Sequence, residues 1–150
     1  MNKIQLLFIL SKTKNPFKLR MRGSSMGPIL HDGDTIVVCQ KDGYSVGDIL
    51  VYRYKENELL IHRLLKIEGD RYFCKGDSAF RLEDISQEQI IGAVITKNDS
   101  NNNAEFVKAS LGINGIFRKC GYNLETAKKT PEYLDYERKY LEAGNEIQNN

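Results

Sequence analysis

Short runs of apolar residues, separated by turn residues, dominate the first two thirds of the chain. Residues 18–22 alternate between charged and apolar side chains, as a strand with one face in water does. Other runs are rich in β-branched residues and are bounded by glycine, aspartate or asparagine. We predict strands at residues 17–22, 35–39, 48–54, 58–67, 71–75 and 90–97, a hairpin loop at 55–57 and an irregular polar segment at 79–89. Short strands at this spacing predict a mainly β domain that is coiled or barrel-like.

The amino-terminal segment is predicted to be a short helix at residues 3–11. Its apolar residues are contiguous rather than striped, so the helix could pack on the core, contact a partner protein or lie on a membrane surface through residues 4–10. This run is far shorter than the ~20 residues that a transmembrane helix needs. It also lacks the cleavage site of a signal peptide. We therefore expect no transmembrane helix and a cytoplasmic location, with membrane association left open.

The last third of the chain is predicted to be helical. A polar tract at residues 98–103 is predicted to be a solvated loop that ends the β domain. One helix is predicted over residues 104–118, with interruptions at Gly112 and Gly115, and another from Pro131 to about Leu141. The patterns divide the chain into an N-terminal extension (1–15), a β domain (16–98) and a helical C-terminal extension (99–150).

Composition restricts the function only weakly. The 150 residues carry 22 basic and 20 acidic side chains, and this net charge of +2 is too small to indicate nucleic-acid binding. The three cysteines, Cys39, Cys74 and Cys120, include no CxxC pair, so neither a disulfide framework nor a zinc site is indicated. We expect free thiols in a reducing compartment.

The candidate chemistry starts at residues 22–30, where two serines stand between Gly23 and Gly27. The glycines permit unusual backbone angles and Pro28 fixes its own φ, so a serine is presented on a tight turn. Most such serines have no catalytic role, since a hydroxyl becomes a nucleophile only when a base takes its proton. His62, inside a predicted strand, could be that base because imidazole titrates near neutral pH.

Five motifs occur along residues 17–98 in an order and at spacings that resemble the signal peptidase I family. They are Gly-Ser-Ser-Met-Gly-Pro at 23–28, Gly-Asp at 33–34, Gly-Asp-Ile-Leu-Val-Tyr at 47–52, Ile-His-Arg-Leu at 61–64 and Lys-Gly-Asp at 75–77. The family's bacterial enzymes use a serine and lysine pair, whereas the archaeal and endoplasmic-reticulum enzymes have a histidine in a His-Arg motif. His62-Arg63 is similar to the second type. The resemblance implies a coiled, partly open β-barrel shared with self-cleaving repressor domains, and a serine peptidase without a cofactor.

The resemblance also implies roles for individual residues. Ser25 would be the nucleophile because Met26 follows it, and His62 would be the general base. Asp77 of the Lys-Gly-Asp motif could orient the imidazole, or it could hold its own turn together. In the histidine type the orienting acid lies a few residues further on, which would make it Asp84 or Glu83; Asp77 and Asp84 are our two candidates.

The remaining roles are less specific. The oxyanion would be bound by the Ser25 backbone N–H and by Ser24 or a backbone group, because Gly23 stands where the family often has a serine. Three residues could line the substrate surface or equally pack in the core: Met26, Pro28 and Ile29. Arg63 is expected to be a structural ion-pair or strand-edge residue rather than a catalytic one.

These expectations describe a serine endopeptidase that cuts an extended peptide or protein substrate after a small residue, through an acyl-enzyme on Ser25. The peptide would add as a strand near Ser25, and no nucleic-acid partner is expected. One alternative is a catalytically silent peptide-binding module with the same fold. Another is a self-cleaving repressor-type domain, which fits less well because that type uses a lysine base where His62 stands here.

Overall fold

A computed structural model describes residues 2–55, 58–95 and 103–149 of the chain. Most of the predicted loop at 98–103 and two residues of the predicted hairpin loop, Glu56 and Asn57, lie outside these ranges. Within them the architecture is a mainly β domain with one helix before it and three after it.

The β domain is one antiparallel sheet of seven strands. In chain order these are β1 (Phe17–Arg20), β2 (Thr35–Cys39), β3 (Ile49–Tyr54), β4 (Glu58–Glu68), β5 (Arg71–Lys75), β6 (Glu83–Ser86) and β7 (Ile90–Val94). The spatial order is β1-β2-β7-β3-β4-β5-β6, and β1 and β6 are its two edges, so the sheet is not closed. The predicted mainly β, partly open architecture with C-terminal helices is confirmed.

Strand β6 lies in the segment that the sequence analysis predicted to be irregular, so that prediction was wrong for residues 83–86. Its residues pair with β5 from Glu83↔Cys74 to Ser86↔Arg71. The strand has only one apolar side chain, Ile85, and its second inward residue is a buried glutamate, Glu83. An alternating pattern with a polar residue on the inner face does not have the hydrophobic period by which strands are detected.

The sheet buries side chains on both faces. Neighbouring residues of β3 point to opposite sides, so Leu50 and Tyr52 pack in one apolar cluster while Ile49 and Val51 pack in another. The second cluster also contains Leu7 of the amino-terminal helix α1 (Lys3–Ser11), which therefore packs on the β domain. The bounds of α1 are those predicted.

The C-terminal helices are α2 (Asn103–Lys119), α3 (Leu124–Lys128) and α4 (Pro131–Asn149). Helix α2 runs without a break through Gly112 and Gly115, so the predicted interruptions are wrong. A Cβ atom at Gly112 would lie 2.4 Å from the Tyr136 ring of α4, so the glycine lets the two helices approach closely. Helix α4 begins at Pro131 as predicted but runs beyond Leu141, and α3 was not predicted. None of the helices in the described part of the chain is long and apolar enough to cross a bilayer.

The C-terminal helices pack beside the serine turn and the Lys-Gly-Asp motif. Ile29 and Phe80 of the β domain join the apolar cluster that α2, α3 and α4 form. Asn114 of α2 donates a hydrogen bond to the Phe80 carbonyl at 2.7 Å. These contacts fix the helices against the β domain. The division of the chain at residues 15 and 98 stays a prediction.

Candidate active site

The structure brings Ser25 and His62 together, although 37 positions separate them in the sequence. The chain leaves β1, forms hydrogen-bonded turns over residues 24–30 and places Ser25 at their start. His62 lies in the middle of β4, paired with Leu50 of β3. The Ser25 Oγ atom is 3.0 Å from the His62 Nε2 atom, which is hydrogen-bonding distance. A base is therefore in position to take the serine proton.

Gly76 of the Lys-Gly-Asp motif makes this approach possible. A Cβ atom at Gly76 would lie about 3.0 Å from both the Ser25 Cβ and the His62 Nε2 atoms, closer than side chains tolerate. Ser78, two positions after Gly76, donates its N–H to the Ser25 carbonyl at 2.9 Å and its hydroxyl to the Ser24 carbonyl at 2.8 Å. The motif and Ser78 thus hold the Ser25 turn against His62.

Lys75 closes the turn that carries the motif. Its ammonium donates to the carbonyls of Gly76 at 2.9 Å and Ala79 at 2.7 Å, and the side chain is fully buried. Burial lowers the pKa of Lys75 to about 8, and the carboxylates of Asp77 and Glu83 partly oppose that shift.

The carboxylate that contacts His62 is that of Glu83. Its Oε1 atom accepts a hydrogen bond from His62 Nδ1 and another, at 2.8 Å, from the Tyr52 hydroxyl. Burial, with the charge of Glu83 among the lesser causes, raises the pKa of Tyr52, so its phenol stays protonated and remains a donor. A carboxylate on Nδ1 fixes the tautomer in which Nε2 is an acceptor facing the Ser25 hydroxyl.

Asp77 and Asp84, the two acids expected beside the imidazole, contact arginines instead. Asp77 receives two parallel hydrogen bonds of 2.9 Å from Arg63, and both side chains are buried. Asp84 lies on the exposed face of β6 and pairs with Arg71 at 2.7 Å. Glu83 points inward where its neighbour Asp84 points outward, because successive residues of a strand face opposite sides.

Of the other candidate site residues of the turn, Met26, Pro28 and Ile29 are buried or partly buried, and Ser24 is exposed. Met26 is fully buried in the core, and its sulfur accepts the N–H of Asp77 at 3.5 Å. Ile29 packs between the sheet core and the helical cluster, and Pro28 beside it is partly buried. Ser24 is exposed next to the nucleophile, and its carbonyl accepts the N–H of Gly27 at 3.1 Å.

A cleft of about 640 Å³ opens beside Ser25 and His62. It lies between α1, β1 and the first half of β4, and its lining includes Ile4, Leu19, Met21, Leu59 and Ile61. The order of antiparallel strands makes β1 and β4 run in the same sense, toward Ser25 and His62 respectively. Pairing of β4 with β5 begins only at Arg63, so residues 59–62 have a described strand partner, β3, on one side alone.

Sequence reasoning missed the roles of Glu83 and Tyr52. Glu83 was named as one position for the orienting acid but was not among the two candidates. Hydrophobic alternation would have shown that Glu83 faces inward, but Ile85 is the only apolar residue of 83–86 and the sequence carries no such signal there. Tyr52 belongs to the motif at 47–52. A tyrosine in an apolar strand is usually interpreted as a core residue, so nothing in the sequence indicated its contact with Glu83.

Comparison with known proteins identifies the family of this fold. A family model described as Peptidase S24-like matches residues 3–95, which is 93 of the 150 residues and includes Ser25, His62 and Glu83. No curated protein matches the chain. The match supports a serine peptidase-type fold, which is a coarser assignment than the signal peptidase I branch with its histidine base. The chain belongs to the Peptidase S24-like family.

Proposed function

We propose that the chain is a serine endopeptidase of signal peptidase I type, with Ser25 as nucleophile, His62 as general base and Glu83 as the acid that orients it. The observation that carries this proposal is the continuous contact from Ser25 Oγ to His62 Nε2 at 3.0 Å and from His62 Nδ1 to Glu83. Nucleophile, base and orienting acid in this geometry are the arrangement that serine hydrolases use on unrelated folds.

The chemistry proceeds through an ester on Ser25. His62 Nε2 takes the hydroxyl proton as Oγ bonds to the carbonyl carbon of the substrate. The tetrahedral intermediate collapses when the same nitrogen gives that proton to the leaving amine. A water molecule then attacks the ester with His62 again as base, and the second product leaves. Glu83 accepts the hydrogen bond of Nδ1 and stabilises the imidazolium in both steps.

The oxyanion is proposed to bind the Ser25 backbone N–H and the Ser24 hydroxyl. Ser24 is exposed beside the nucleophile, and the nearby N–H of Gly23 is engaged by Asp32 at 2.8 Å. Ser24→Ala would then lower kcat about 100-fold or more without changing the position of Ser25.

The substrate is proposed to lie in the cleft as an extended peptide. Its backbone would pair with the edges of β1 and of residues 59–62, which both lead to the catalytic pair. The preference for a small residue before the cut bond is inferred from the resemblance to signal peptidase I.

Intact-mass analysis tests the proposal. The chain and its Ser25→Ala and His62→Ala variants are incubated with a peptide library and, separately, with a small fluorophosphonate that labels activated serines. We expect cleavage and labelling at Ser25 in the parent chain and neither in the variants. A folded parent chain that is unlabelled and cuts nothing would favour the silent binding module. A shortened parent chain in the absence of peptide, with Ser25→Ala intact, would favour self-cleavage.

A further inference from the structure

We propose, as a consequence of the peptidase function above, that the cleft selects an apolar peptide with an acidic residue on the amino-terminal side of the cut bond. The observations that support it are the apolar walls of the cleft, the charge of its lining and its closure by α1.

Apolar side chains come from three elements around the cleft. Strand β1 and the residue after it supply Leu19 and Met21, the first half of β4 supplies Leu59 and Ile61, and α1 supplies Ile4 and Leu7. Leu7 is also anchored in the sheet core, so α1 is held as a third wall rather than lying free. A peptide extended between β1 and β4 would place its side chains against these walls.

Every charged side chain that lines the cleft is basic. The charged residues of its lining are Lys3, Arg20 and Arg22, and the lining includes no aspartate or glutamate. Within the described ranges none of the three forms an ion pair with an acidic residue. Unpaired positive charges beside an apolar groove favour a ligand that brings the negative charge itself.

A second cleft near His62 differs from the first in the charge of its lining. This cleft, of about 610 Å³, reaches His62 from the side of Phe73 and α2, and its lining mixes both signs. The basic Arg81 and Arg118 there share the lining with the acidic Glu58 and Asp84. The uniform positive charge is therefore a property of the cleft beside Ser25 and not of the whole surface around the catalytic pair.

Peptides matched except for one charge test the acidic preference. A sequence that the chain cuts is prepared with Glu, Gln or Lys at each of the positions that precede the cut bond, and kcat/KM is measured. We expect Glu to be preferred over Gln and Gln over Lys at one or more positions, by about two- to fivefold for each step, and less at high salt. Equal rates at every position would overturn the proposal.

Variants of β1 assign the preference to the cleft. Arg20→Glu replaces one of the three positive charges of the lining by a negative one and should weaken the preference for Glu over Lys peptides. Lys18→Glu is the matched control because Lys18 is exposed on the same strand and does not line the cleft. It should leave the size of the preference unchanged. An equal weakening in both variants would show only a general effect of net charge and would count against the proposal.

The apolar wall is tested by filling it. Ile4→Trp should lower kcat/KM for peptides tenfold or more, while the rate at which the small fluorophosphonate labels Ser25 stays the same. Leu6→Trp, on the exposed side of α1, should change neither rate. Loss of labelling together with peptide cleavage in Ile4→Trp would mean that the fold was damaged, and an unchanged peptide rate would contradict the role of α1.

Binding to Ser25→Ala separates this inference from the function on which it rests. If the parent chain proves to be catalytically silent, tighter binding of Glu than of Lys peptides to Ser25→Ala, measured by fluorescence anisotropy, would still support the cleft's selectivity. If peptides are cut without charge preference, only the selectivity fails. A third outcome concerns lipid. If the chain sediments with vesicles of anionic phospholipid in a way that depends on Arg20, and peptide cleavage and binding do not depend on peptide charge, the basic residues bind a lipid surface and the proposal is overturned.

Discussion

Two neighbouring residues of β4 each bind a buried carboxylate, and they do so on opposite faces of the strand. His62 contacts Glu83, and one edge of its ring remains directed at Ser25. Arg63 binds Asp77 through two hydrogen bonds, donates a third to the Gly47 carbonyl at 2.9 Å and lies 4.7 Å above the Phe106 ring of α2. In the first pair one imidazole nitrogen faces Ser25 rather than the acid, whereas in the second each of the three guanidinium nitrogens donates a hydrogen bond.

The difference between the pairs follows from what each cation can do. A guanidinium keeps its charge at every working pH and has no acceptor, so a buried Arg–Asp pair can only hold structure. An imidazole accepts a proton on one nitrogen while the other donates to a carboxylate. Each pair joins a residue of β4 to an acid from residues 77–83. On one face of the strand the pair can only stabilise the fold, and on the other the imidazole can also accept a proton.

The largest effect should come from Glu83→Gln. The glutamine amide can donate to His62 Nδ1 and stabilise the tautomer whose Nε2 carries the proton, so that Nε2 can no longer take the proton of Ser25. We expect kcat to fall about 10⁴-fold, as for the equivalent change in a serine protease triad, with little change in Tm.

The control for Glu83→Gln is Asp84→Asn, at the next residue of β6. Asp84 pairs with Arg71 near the surface, with its side chain half exposed. Its loss should leave kcat within a factor of two or three. A large loss of activity in Asp84→Asn, with Glu83→Gln active, would reverse the assignment of the acid.

Asp77→Asn should instead destabilise the fold. It leaves the Arg63 charge buried with a poorer partner, and breaking a buried ion pair typically costs about 3–5 kcal/mol. We expect urea unfolding to show this loss, while the fraction of molecules that remain folded is still labelled at Ser25. A stable Asp77→Asn chain that cannot be labelled would make Asp77 part of the catalytic machinery.

Much of this comparison could be predicted from the sequence, but the partner of the imidazole could not. Alternation and β-branched runs predicted six of the seven strands, and motif resemblance brought Ser25 and His62 together. The segment around Glu83 has one apolar residue in four, so its strand was missed and with it the direction of each side chain. A shift of one position on a strand moves a carboxylate to the other face, which is the difference between Glu83 and Asp84.

The Lys-Gly-Asp motif shows a second limit. The sequence indicated that Asp77 is important, and a structural ion pair was one of two roles predicted for Arg63, but the two residues were not connected. Their contact joins β4 to the turn after β5, across 14 positions, and it depends on the register of those strands. Motifs identify residues, whereas pairing in space depends on register and on packing against α2.

Lys75 interacts electrostatically with Asp77 and Glu83, the acids of the two pairs, and should make the stability of the fold depend on pH. Its pKa is about 8 in the folded chain against an ordinary value of 10.5, so between these pH values the unfolded chain binds more protons. Stability therefore rises with pH across this window, by about 3 kcal/mol from this residue. The measurement is the difference in the free energy of unfolding between the chain and Lys75→Met at pH 7, 9 and 10. A difference that does not change with pH would contradict the buried ammonium.

Tyr52→Phe should have the smallest effect and tests how firmly the first pair is held. The Tyr52 hydroxyl donates to Glu83 and lies 3.3 Å from His62 Nδ1, so its removal takes one of the two donors from a buried carboxylate. We expect a loss of stability of about 1–2 kcal/mol and a several-fold fall in kcat with KM unchanged, because Tyr52 does not line the cleft beside Ser25. Tyr54→Phe, whose partly buried ring lies edge-on to Tyr52, is the matched control and should leave kcat unchanged. A rise in KM with constant kcat in Tyr52→Phe would place the hydroxyl in substrate binding, and the support of Glu83 would then have to come from the imidazole alone.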